Sequence, residues 1–127
     1  MEARRAAVLK HAGKAGCDAV AAFEPENVFY LTGFWGEAIA VCTADGKTKL
    51  VAPKLEFSRA TKSSVECEVI STERGSELLS TFVAQVKNSK TCTDCSDYGT
   101  VEQVRRLQGS VTVDTEPFFQ ARRVKDE

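Results

Sequence analysis

Short apolar runs, too brief to make helices of their own, alternate along this chain with segments whose apolar residues recur at helical spacing. Cys17 to Phe23, Ala38 to Thr43, Thr48 to Ala52, Val65 to Ile70, Thr91 to Cys95 and Val111 to Val113 read as strands. The run from Cys17 to Phe23 has no polar alternation, which predicts a strand covered on both faces. Residues 2–16 read as a helix with Val8, Leu9, Ala12 and Ala15 along one stripe and Gly16 as its stop. Ser76 to Lys87 is the clearest helix, because Leu78, Leu79, Phe82, Val83 and Val86 share one face. Leu55 to Lys62, Thr100 to Leu107 and a basic segment from Phe118 onward read as further helices, the second opening on a Thr100-x-x-Gln103 capping box. Ala44-Asp45-Gly46-Lys47 joins two of the strands as a hairpin, since Asp-Gly suits a tight turn. Helices alternating with buried strands, with one hairpin inserted, predict an α/β, three-layer domain: a mixed sheet covered by helices.

At 127 residues the chain fits one domain. Hydrophobic residues at 43% and charged residues at 28% exclude a disordered or low-complexity polymer. Seventeen basic against 18 acidic residues leave a net charge of −1, too little positive field for nucleic acid or an anionic membrane. No apolar run reaches the roughly 18 residues of a membrane span. Met1-Glu2-Ala3-Arg4-Arg5 has no apolar core of a secretion signal, so a cytoplasmic protein is expected. Five cysteines cannot all pair within the chain, and reduced thiols acting as small hydrophobes fit that compartment.

Candidate chemistry is sparse. Cys92-Thr93-Asp94-Cys95 is a C-x-x-C without a second ligand pair for zinc, and the helix that could activate its first thiol starts only near Thr100. It reads as a structural or incidental pair. His11, the one histidine, lies at the edge of the first helix's apolar stripe, with no partner to make it a general base. Glu24, Glu26 and Glu37 read as solvated loop acids. Phosphate-loop and nucleophile-elbow motifs do not occur. The unusual stretch is Asn27 to Glu37. Phe29 and Leu31 are assigned to the core, whereas Phe34 and Trp35, between Gly33 and Gly36, read either as further core or as a loop presenting large apolar surface at the rim of a pocket or interface.

Pro25-Glu26-Asn27-Val28-Phe29-Tyr30-Leu31-Thr32-Gly33-Phe34 resembles the N-terminal domain of the creatinase/prolidase family, whose two-domain metallopeptidases include Xaa-Pro dipeptidases and Xaa-Pro aminopeptidases. Around this motif, Asp18-Ala19, Gly36-Glu37 with the following Asp-Gly hairpin, and Val51-Ala52-Pro53 fall in the family's order. Arg123-Val124-Lys125-Asp126 resembles the junction into a catalytic domain. Residues 1–122 are therefore expected to form the N-terminal domain and 123–127 to begin the connection to a C-terminal catalytic domain that this sequence does not contain. Cys92 to Asp97 matches nothing in the pattern.

The resemblance implies that catalysis belongs to that absent domain, where Asp, Asp, His, Glu and Glu hold two divalent ions (manganese, cobalt or zinc). No catalytic, cofactor or metal residue is assigned within these 127 residues. It implies a homodimer, partnership with the chain's own catalytic domain, a proline-containing peptide as substrate, and Phe34, Trp35, Gly36 and Glu37 as the part facing the substrate cleft. Two other readings keep the scaffold: a peptide- or protein-binding module without catalysis, and a creatinase-type amidinohydrolase.

Overall fold

The computed structural model describes residues 1–107 and 111–123. In chain order these form α1 (Glu2–Lys14), β1 (Ala19–Ala22), α2 (Pro25–Thr32), β2 (Ile39–Thr43), β3 (Thr48–Pro53), a 3-10 turn (Lys54–Glu56), α3 (Phe57–Ser63), β4 (Glu68–Thr72), α4 (Ser76–Gln85), β5 (Thr91–Thr93), α5 (Tyr98–Leu107), β6 (Val111–Val113) and α6 (Glu116–Arg123). The strands make one six-stranded sheet in the order β4-β3-β2-β1-β5-β6. β2 runs antiparallel to β1 and β3, and the remaining pairs are parallel, so the sheet is mixed.

Alternation along the central strands builds two cores. Val20, Ala22, Ala40, Cys42, Leu50, Ala52 and Cys92 point to one face, where Val8 and Ala12 of α1, Val28 and Leu31 of α2, Ala60 of α3 and Phe118 and Ala121 of α6 cover them. Ala21, Ile39, Val41 and Val51 point to the other, under Phe82 and Val83 of α4, Val86 just after it and Val104 of α5. Successive residues of a strand face opposite sides, so a strand that is apolar throughout demands helices on both. The three-layer α/β arrangement follows.

Four local expectations shift. The stretch around Val28 to Leu31 is a helix, α2, and its Phe29 is 46% exposed rather than core; Leu31 is buried as expected. β4 begins at Glu68, not Val65, because the Val65 amide donates to Thr32 O at 2.8 Å and Glu66 turns the chain with φ 49°. α5 begins at Tyr98, and its cap is Asp97 rather than Thr100: Asp97 Oδ2 accepts the Thr100 amide at 2.9 Å. The thiols are not all reduced. Cys17 and Cys92 form a disulfide with their Cα atoms 6.0 Å apart, leaving Cys42, Cys67 and Cys95 free. The expected connection over 123–127 lies outside the described residues beyond Arg123. Among the described residues, no helix is long and apolar enough to cross a membrane.

Candidate functional site

Everything at the candidate site hangs from α2. Glu24 is extended (ψ 134°) and Pro25 takes the first helical position, where its missing N–H costs nothing. The helix has no local side-chain cap. Asp94, just past β5, instead holds the chain that enters it, from about seventy residues away. Its Oδ1 accepts the Phe23 amide at 2.6 Å, and its Oδ2 accepts the Glu24 amide at 3.1 Å and Asn27 Nδ2 at 2.8 Å. Burial pushes the Asp94 carboxyl above its ordinary range, with these hydrogen bonds pulling the other way. Asn27 Oδ1 in turn accepts Arg122 Nη1 of α6 at 2.9 Å. A polar chain thus joins the end of β5, the start of α2 and the last turn of α6.

The far end of α2 is held by Arg5. Its Nε donates to Leu31 O at 2.9 Å and its Nη1 to Glu66 O at 2.9 Å, while Nη2 bonds Val65 O. A cation at a helix C-terminus meets the unpaired carbonyls and the negative end of the helix dipole. Gly33 closes the helix in the left-handed region at φ 82°, and a Cβ there would sit 3.3 Å from Ser63 O.

Beyond Gly33 the chain turns sharply, and the four candidate residues part company. Phe34 is 0% exposed and belongs to the core, so it does not rim a pocket. Trp35 is 53% exposed and meets Phe29 edge-to-face, the ring centroids 6.0 Å apart. Arg59 of α3 fixes the main chain between them: its Nη1 donates to Trp35 O at 2.7 Å, and its guanidinium lies 4.7 Å from the Phe34 ring centroid. Gly36 is required by close approach, since a Cβ there would lie 2.5 Å from Arg59 Nη2 and 2.6 Å from Phe34 Cζ. Glu37 turns away and pairs with Arg74 across 3.0 Å, both side chains largely in water. Glu24, Glu26 and Glu37 are all exposed, but Glu26 sits in the first turn of α2 and not in a loop. Behind Glu37 an open groove of about 500 Å³ is lined by Phe23, Pro25, Ile39, Leu78 and Leu79.

Among the described residues no three His, Cys, Asp or Glu side chains gather where they could hold a metal ion. Asp94 is occupied by amides and Glu37 by Arg74, so a pair of divalent ions does not fit the described residues. The C-x-x-C does not pair with itself: Cys92 bonds Cys17, and burial raises the Cys95 thiol. Arg5, Arg59 and Asp94, which shape the site, are not distinguishable in the sequence from surface charges, because each acts across a tertiary contact.

The family model for the Creatinase/Prolidase N-terminal domain matches residues 4–124. The chain belongs to this family. Solved structures with the creatinase/prolidase N-terminal fold include the Xaa-Pro dipeptidase from Bacillus anthracis, at 13% identity and TM-score 0.84 over 98% of this chain and 36% of that one. The prolidase from Pyrococcus horikoshii is similar at 19% identity and TM-score 0.80, again over 98% of this chain and 36% of the other. A separately solved creatinase/prolidase N-terminal domain of an X-Pro dipeptidase from Streptococcus pyogenes matches at 17% identity and TM-score 0.77, over 94% of this chain and 98% of that one. The chain spans about a third of the two full enzymes (36%). A comparison with curated protein sequences gave no match.

Proposed function

We propose that this creatinase/prolidase N-terminal domain is the non-catalytic part of a Xaa-Pro dipeptidase, contributing to a homodimer and to closure of the substrate cleft. The metal-dependent hydrolysis of the Xaa-Pro bond, with its two divalent ions, belongs to a C-terminal catalytic domain. The observation that carries this reading is the state of Trp35. A large apolar side chain is held half in water while its own main chain is fixed by Arg59, as a contact residue awaiting a partner would be. The role is steric: the Trp35 and Phe29 rings limit how much peptide fits beyond the scissile bond, with Gly36 and Glu37 continuing that edge. The cytoplasm is the expected compartment.

The test uses the full-length protein with Xaa-Pro dipeptides and longer Xaa-Pro peptides, with and without manganese. Metal-dependent turnover is expected, and Trp35→Ala should shift KM or length preference more than stability. Peptide binding without turnover would overturn this in favour of an inactive binding scaffold. Turnover of creatine and not of Xaa-Pro peptides would overturn it in favour of the amidinohydrolase.

A further inference from the structure

The disulfide lies where the sheet is held least. β1 and β5 pair over only Ala19↔Thr91, Val20↔Cys92 and Ala21↔Thr93, and β6 adds three pairs beyond. Thr91 begins this short strand with a buried hydroxyl that has no hydrogen-bond partner among the described residues. Yet Asp94, just past the end of β5, holds the chain where it enters α2, on the amides of Phe23 and Glu24 and the side chain of Asn27. Asp94 follows Cys92 by two residues, directly after the last residue of the strand. The Cys17–Cys92 bond spans 75 residues and ties the loop between α1 and β1 directly to β5.

We propose that Cys17–Cys92 is a reversible redox latch: closed, it fixes β5 against β1 and keeps Asp94 on the amides of Phe23 and Glu24; open, it frees the start of α2. This inference stands independently of the peptidase reading. Closing transfers two electrons and two protons from the two thiols to a low-molecular-weight disulfide, which leaves as two thiols. Opening is the reverse: the thiolate of one low-molecular-weight thiol attacks a sulfur to give a mixed disulfide and one free protein thiol, and a second such thiol releases the other, leaving as the small disulfide. Both sulfurs are buried, so exchange follows local opening and the latch is slow rather than freely equilibrating. Cys95, three residues on, is the competing partner for Cys92. Its raised thiol pKa keeps it protonated and a poor attacker, which favours the Cys17 pairing.

The experiment compares the 127-residue chain in oxidised and reduced glutathione. Peptide mapping of the oxidised form should give Cys17–Cys92, with three free thiols against five in the reduced form. Opening should lower the melting temperature by about 10 °C, from the loss of a long-loop cross-link. It should also speed amide exchange at Phe23 and Glu24 at least tenfold more than at Val41 and Leu50 in the β2–β3 hairpin. Cys95→Ser should behave as the parent, and Cys92→Ser should resemble the reduced form with no response to reductant. A mapped Cys92–Cys95 bond, five free thiols under the oxidised buffer, or exchange that rises equally across the sheet would each overturn the latch. The wild-type comparison decides even if Cys92→Ser fails to fold.

Discussion

Phe34 and Trp35 are neighbours in sequence with opposite fates, and replacing each by alanine measures the difference. Phe34 is fully buried among the α1–α2–α3–α6 core, so Phe34→Ala removes a whole ring from a packed interior. The transfer and cavity terms for a buried phenylalanine sum to about 3–5 kcal/mol. Arg59 also loses the ring face beneath it, worth about 0.5–1 kcal/mol at a half-open site. Against the roughly 5–15 kcal/mol that holds a domain together, a loss near 4 kcal/mol is severe, on the order of 15 °C in melting temperature. Trp35→Ala keeps the backbone carbonyl that Arg59 holds and gives up the edge-to-face contact with Phe29, about 1 kcal/mol. Urea unfolding of the two variants, followed by far-ultraviolet circular dichroism because Trp35 is the only tryptophan, reads both. Equal losses, or a larger loss for Trp35→Ala, would refute the division of this loop into one core and one contact residue.

Two further predictions concern buried polar groups. Thr91→Val replaces a buried hydroxyl without a hydrogen-bond partner among the described residues by a methyl of the same branching and should stabilise the chain by about 1 kcal/mol in urea unfolding; a loss would show that the hydroxyl is satisfied. Asp94→Asn leaves one oxygen for three donors and should cost about 1–3 kcal/mol near neutral pH, through the donors left unpaired. The sign of its pH dependence follows from the raised pKa. The folded state binds the Asp94 proton more tightly than the unfolded chain, so the penalty for ionising it is absent below 3.8, the ordinary value, and complete above the raised one. Stability of the parent relative to Asp94→Asn should therefore improve as pH falls through that window, and a decline would count against it.

What the sequence disclosed, it disclosed where neighbours along the chain decide the outcome. Short runs apolar on both faces, such as Cys17 to Phe23, interleave with helix-spaced segments, and that pattern with the Asp45-Gly46 turn is enough for the three layers and the hairpin; in the fold Val20 and Ala22 take one core and Ala21 the other. The motif through Tyr30-Leu31-Thr32-Gly33-Phe34 was enough for the family. α2 itself was not legible, because Pro25 to Thr32 is short, apolar and without a local cap, too weak to be a helix on propensity. Its surroundings are held from elsewhere in the chain, by Asp94 on the amides of Phe23 and Glu24 and by Arg5 on the Leu31 carbonyl. The same dependence hid the fates of Phe29 and Phe34: which ring goes inward is set by the helix phase and by where Arg59 catches the carbonyl of Trp35, and neither is written in the local residues. The cysteines follow the same rule. Spacing drew attention to Cys92 and Cys95, whereas sheet register places Cys92 beside β1, two residues above Asp94, and so within reach of Cys17. The residues hardest to read from the sequence are thus those that hold the candidate surface in place, and a change in any of them should move Trp35 before it unfolds the sheet.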